Sequence, residues 1–185
     1  MTYVRFLKAI PLAVALLAAA LGASPAQAAS HQEKAVLAGG CFWGVEAVYR
    51  HTKGVISATS GYSGGDVKNP SYEAVCTGRT GHAEAVRVTF DADTVAYDTL
   101  LDAFWSLHDP TQVNRQGPDV GTQYRSAVFT TGDAQRTAAE ASKARAQTRF
   151  SRPIATQILP EAPFFRAEDY HQRYLEKQGL RTCRI

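Results

Sequence analysis

Cysteine is scarce in this chain, and so are long apolar runs and clusters of positive charge. The three cysteines are Cys41, Cys76 and Cys183, in 185 residues. That is too few for a disulfide-built scaffold, and the odd number leaves at least one thiol outside any intramolecular pair. No two of them form Cys-x-x-Cys, the dithiol motif of a general disulfide exchanger. The five histidines show no paired metal spacing and none stands at ligand spacing from Cys41, so no zinc site is expected. The formal charge is only +3. Without a Lys/Arg cluster to neutralise a row of phosphates, nucleic acid is excluded as a partner. There is no internal repeat or linker, and the length fits one domain.

The longest apolar run is at the N-terminus. Arg5 and Lys8 precede an apolar stretch over residues 9–21, and the segment 24–28 ends in an Ala-x-Ala pattern. This layout predicts a signal peptide over 1–28, cleaved after Ala28. The run falls short of the roughly 20 residues that span a bilayer. No cysteine follows it for a lipid anchor. An exported chain, 29–185, with no stable membrane association is therefore expected: periplasmic first, outright secretion second. Its formal charge falls to +1, because Arg5 and Lys8 are the only charges removed.

Hydrophobic periodicity predicts strands over 35–38, 54–61, 82–90, 124–131 and 154–159, and helices over 41–52, 97–108, 133–148 and 168–178. A short helical turn is expected at 71–77, and a polar loop at 111–123. Asp133 is a candidate N-cap, and Gly179 closes the last helix. Strands alternate with helices, which implies one α+β domain, a mixed sheet with helices packed on it.

Two residues stand out for chemistry. Cys41 follows Gly39-Gly40 and opens a helix, where free N–H groups and the helix dipole stabilise a thiolate. Phe42 and Trp43 come next and could wall an apolar pocket beside the sulfur. The position alone leaves open the alternative of a small core cysteine. Glu84 shares a strand face with Val86, Val88 and Phe90. A carboxyl in that dry environment has a raised pKa and stays protonated, as a general acid requires. The alternative is a solvated carboxylate at the open strand end.

The motif Gly40-Cys41-Phe42-Trp43-Gly44 resembles the A-type peptide methionine sulfoxide reductases. The resemblance extends through Gly61-Tyr62, Pro70-Ser71-Tyr72, Gly81-His82-Ala83-Glu84-Ala85-Val86, His108-Asp109-Pro110, Arg115-Gln116-Gly117 and the block from Asp119 to Ser126. It runs in family order from about Val36 to Tyr174. It implies a single-domain, two-layer fold with a ferredoxin-like core. It also implies reduction of methionine-S-sulfoxide, free or in peptides, with no metal or organic cofactor. On this resemblance Cys41 is the nucleophile and Glu84 the acid that protonates the sulfoxide oxygen. Tyr72 and Tyr124 hydrogen-bond that oxygen, Asp119 is a polar residue of the same pocket, and Phe42 and Trp43 hold the substrate methyl group. The catalytic cysteine becomes a sulfenic acid, which a second thiol resolves to a disulfide for a thioredoxin-like donor to reduce.

The resemblance makes Cys183, in a mobile tail over 179–185, the expected resolving thiol. Many relatives have longer, glycine-rich tails that often carry a further cysteine. Here a single Cys41–Cys183 step is expected, and Cys76 is a structural or spectator thiol. A monomer is the working expectation, although the sequence carries no sign of oligomeric state. Two rival functions stand beside this one. A thiol peroxidase or disulfide exchanger needs Cys41 and Cys183 but has no use for two tyrosines and a buried Glu around one oxygen. A non-enzymatic module that binds oxidised methionine needs the aromatic wall but not Glu84.

Overall fold

Branched and small residues alternating along Ala83–Asp91 make the middle strand of the sheet that organises the chain. The computed structural model describes residues 31–180, so the expected signal peptide at 1–28 and Cys183 lie outside the described residues. In chain order the elements are β1 (Gln32–Gly39), α1 (Phe42–Arg50), β2 (Val55–Ser63), α2 (Tyr72–Cys76), β3 (Ala83–Asp91) and α3 (Tyr97–Leu107). There follow a small hairpin of β4 (Arg115–Gln116) and β5 (Asp119–Val120), then β6 (Ser126–Thr130), α4 (Asp133–Gln147), β7 (Gln157–Pro160), β8 (Phe164–Arg166) and α5 (Tyr174–Lys177).

The main sheet has the order β7-β6-β1-β3-β2-β8. Its inner four strands pair antiparallel, and the path β1-α1-β2-β3-α3-β6 is the expected ferredoxin-like core. To this core β7 adds parallel to β6, and β8 adds antiparallel to β2. The larger core lies between one face and the helices. Val45 and Tyr49 of α1 and Leu100, Leu101, Phe104 and Trp105 of α3 bury against Leu37, Val86, Val88, Phe90 and Val128. Burying each of Leu100, Leu101 and Phe104 contributes about 1.5–3 kcal/mol. Trp105 donates its indole N–H to Ser142 Oγ at 2.8 Å, which ties α3 to α4. The opposite face carries a smaller cluster, with Ala38, Ala83, Ala85, Ala127 and Phe129 packed under Leu159 and Phe164.

The face of Glu84, Val86, Val88 and Phe90 is buried as its alternation predicts. The C-terminal segment departs from expectation. The helix expected over 168–178 is confined to Tyr174–Lys177. Arg173 takes a left-handed conformation with φ 56°, held by its N–H to Glu46, and breaks any helical run through it. Upstream, Gln172 uses its side-chain amide to bond both the N–H and the C=O of Ser60, each at 3.0 Å. It extends the pairing of β2 beyond β8, which periodicity did not foresee. Gly179, at φ 70°, closes α5 as expected. The strand expected over 154–159 is β7 and begins at Gln157 rather than at 154, because Ile154 N–H bonds Gln147 and Ala155 N–H bonds Pro110. Asp133 is the first residue of α4 and not its cap. The cap position is Gly132, and Asp133 instead complements the dipole within the first turn.

Candidate active site

The turn from β1 into α1 sets Cys41 at the helix start with φ −55° and ψ 120°. Gly40 precedes it at φ 91°, and a Cβ there would fall 2.6 Å from Cγ of Gln116. Only glycine allows both this backbone and this approach. Gln116 in turn fixes the β4–β5 hairpin, since its amide bonds Asp109 N–H at 3.2 Å and Asp109 C=O at 3.0 Å. The hairpin carries Asp119 into the lining of a cavity of about 280 Å³.

That cavity brings together Cys41, Phe42, Trp43, Tyr72, Glu84, Asp119 and Tyr124. These seven are every expected site residue among the described ones; the eighth, Cys183, lies outside the described residues. They come from α1, α2, β3, β5 and the 3-10 turn Thr122–Tyr124. The volume suits a single side chain and its polar partners rather than a large cofactor. Among the described residues, no group of three or more His, Cys, Asp or Glu is placed to hold a metal ion.

Glu84 is 2% exposed, and one of its oxygens accepts the main-chain N–H of Phe42 at 3.0 Å. Burial pushes its carboxyl up to about 8, against the opposing Phe42 bond and with a smaller push from the Asp119 charge. The acid is thus predominantly protonated at neutral pH. Because Phe42 occupies one oxygen as an acceptor, the proton is left for the other. Burial also pushes the Tyr124 phenol up, with Glu84 and Asp119 facing it, so it remains a donor. The same holds for Tyr72, whose hydroxyl pairs with the Cys76 thiol. Cys76, expected to be a spectator, is therefore a neighbour of the site through Tyr72.

The aromatic wall has supports that periodicity could not reveal. Trp43 stacks on Tyr174 with ring centroids 3.7 Å apart and an interplanar angle of 11°. Its indole N–H donates to Nδ1 of His171 at 3.0 Å. His171 is 1% exposed and packs against Phe42 at 4.9 Å and Tyr72 at 4.4 Å. The sequence signal for His171 was the polar-aromatic run Glu168-Asp169-Tyr170-His171-Gln172, an odd composition for a surface helix, and Tyr174 lies two residues beyond it.

A family model described as peptide methionine sulfoxide reductase matches residues 33–185. The chain belongs to that family. A peptide methionine sulfoxide reductase of Acidobacterium capsulatum is 55% identical over 154 residues, which is 82% of this chain and 99% of the relative. Among solved structures, methionine sulfoxide reductase A of Corynebacterium diphtheriae superposes with a TM-score of 0.75 at 38% identity, covering 83% of this chain and 78% of that one. Mxr1 of Saccharomyces cerevisiae, in complex with Trx2, matches with a TM-score of 0.56 at 26% identity, over 77% of this chain and 84% of that one. This member of the family also has no helix, among its described residues, long and apolar enough to cross a membrane.

Proposed function

We propose that this chain reduces methionine-S-sulfoxide to methionine by thiol chemistry at Cys41. The observation that carries the reading is a buried, protonated Glu84 bonded to the residue next to Cys41, in the cavity that the cysteine lines. The Cys41 sulfur attacks the electrophilic sulfoxide sulfur. Negative charge grows on the oxygen, Glu84 gives it a proton, and Tyr72 and Tyr124 donate hydrogen bonds to it. The substrate methyl group sits against Phe42 and Trp43, and Asp119 supplies a polar edge. The protonated oxygen then transfers to the Cys41 sulfur as the substrate S–O bond and the S–S bond to the substrate break, so methionine departs and Cys41 is left as a sulfenic acid.

The Cys183 thiol then attacks the Cys41 sulfur. The hydroxyl leaves as water with the thiol's proton, and a Cys41–Cys183 disulfide remains. An external dithiol reduces it by exchange. The relation to Mxr1, which binds Trx2, supports a thioredoxin-like donor. The N-terminal pattern at 1–28 supports export, probed by N-terminal sequencing of the mature protein. In that setting the reaction repairs oxidised exported proteins.

The test is reduction of the two epimers of a methionine sulfoxide peptide with dithiothreitol. Only the S epimer should react, Cys41→Ser should be inactive, and Cys183→Ser should complete one turnover. Reduction of neither epimer by a chain whose Cys41 still reacts with alkylating agents rejects the reading.

A further inference from the structure

The first helical residue of α2 is Tyr72, and α2 is only five residues long. A helix that short does not hold its own geometry in water, so the placement of Tyr72 depends on what grips it from outside. Ser71 caps the helix through Ala74 N–H, and Val75 anchors it in the core. The N–H of Tyr72 itself is one of the orphan donors of a helix start. It is taken by Oε1 of Glu168 at 2.9 Å, from 96 residues further along the chain.

The other oxygen of Glu168 accepts the hydroxyl of Tyr62 at 2.8 Å. Tyr62 is fully buried on β2, directly opposite Glu84 in the sheet register. Its ring centroid lies 5.9 Å from that of Phe42. The carboxylate of Glu168 therefore ties the root of Tyr72 to the strand pair that carries Glu84. Glu168 also accepts His171 N–H at its own carbonyl, at 3.0 Å. That turn sets the imidazole 4.4 Å from the Tyr72 ring. Main chain and ring of Tyr72 are both positioned from this one residue, while the hydroxyl end is left to Cys76 or to a substrate.

We infer that Glu168 is a positioning residue for reduction, holding Tyr72 so that its hydroxyl meets the sulfoxide oxygen. The inference rests on the reading that Tyr72 donates to that oxygen. Glu168 touches no reacting atom and reaches the sulfoxide oxygen through Tyr72, with its bond to Tyr62 as the anchor of that hold. Loss of the carboxylate should therefore matter only while the Tyr72 hydroxyl is present.

The experiment is single-turnover release of methionine from a sulfoxide peptide by the full chain. It compares Glu168→Ala, Glu168→Asp and Glu168→Gln, each alone and combined with Tyr72→Phe. Glu168→Ala should slow release about tenfold, because a misplaced donor loses alignment. Glu168→Asp, which withdraws the carboxylate by one methylene, should show the same defect in weaker form and serves if the alanine variant does not fold. Glu168→Gln keeps an acceptor oxygen for Tyr72 N–H and should recover most of the rate. In the Tyr72→Phe background all three should change the rate by less than about twofold. Alkylation of Cys41 by iodoacetamide should match wild type throughout, whereas a general structural defect would move it. An equal slowing with and without the Tyr72 hydroxyl, or no slowing at all, overturns the inference. Wild-type speed in Tyr72→Phe alone instead removes the role of Tyr72 on which the inference stands.

Discussion

The Glu84 carboxyl accepts the N–H of Phe42 at 3.0 Å, which joins the middle strand of the sheet to the first turn of the helix that Cys41 opens. One bond thereby sets the distance between the proposed acid and the proposed nucleophile. It also leaves the second oxygen of Glu84 to carry the proton.

A pH dependence follows. With its carboxyl raised to about 8 by burial, Glu84 is protonated below that value and loses its proton above it. The single-turnover rate of methionine release should fall as pH rises through about 8. Glu84→Gln should lower the rate on the order of a hundredfold and abolish the fall on that alkaline side. Rapid-quench measurements between pH 6 and about 9.5 check this; an unchanged alkaline limb in Glu84→Gln would assign it to another group.

Thiol counting separates sulfoxide reduction from binding. Wild type should lose two thiols for each methionine formed, while Cys183→Ser should lose one and stop. Cys76→Ala should keep the two-thiol stoichiometry, since its sulfur pairs with the Tyr72 hydroxyl and takes no step in the proposed scheme. A binding module would hold the sulfoxide with no thiol lost.

Gly40→Ala should damage both stability and the pocket. The left-handed backbone at φ 91° costs a side chain about 1 kcal/mol or more, and the new Cβ would meet Gln116. Relief requires Gln116 to move, and with it the hairpin that holds Asp119. A lower melting temperature with a raised KM is expected. A normal KM in the destabilised variant would show that the hairpin does not depend on this contact.

Acid stability should depend on His108. Burial lowers its pKa to about 4, and the ring bonds Phe104 C=O at 2.9 Å and Ser126 Oγ at 2.8 Å. The unfolded chain takes up the proton near 6.5 but the folded chain does not. Stability is therefore full above about 6.5 and falls as pH drops toward about 4, by roughly 3 kcal/mol. Urea unfolding across that range should show the slope, and His108→Gln should flatten it.

Local pattern reached Cys41 and Glu84. A glycine pair before a helix and the two-residue period of a strand are short-range facts, and each side chain follows from them. Tyr72, Tyr124 and Asp119 were legible only through family resemblance, because a five-residue helix, a 3-10 turn and a two-residue strand have no period to read. The segment 168–173 was misread as helix because its real partners, Ser60, Tyr62, Tyr72 and Trp43, are all about a hundred residues away.

The sequence by itself determined the elements with strong periodicity, the position of the thiol at a helix start and the buried face of β3. Those depend on sterics and hydrophobic spacing within a few residues. Only the tertiary structure decided that five separate elements converge on one cavity, that Glu84 is buried deeply enough to hold its proton, and that His171, Tyr174 and Glu168 stand behind the site. Convergence and desolvation belong to groups far apart in the chain, and their energies exist only once the sheet has brought them together.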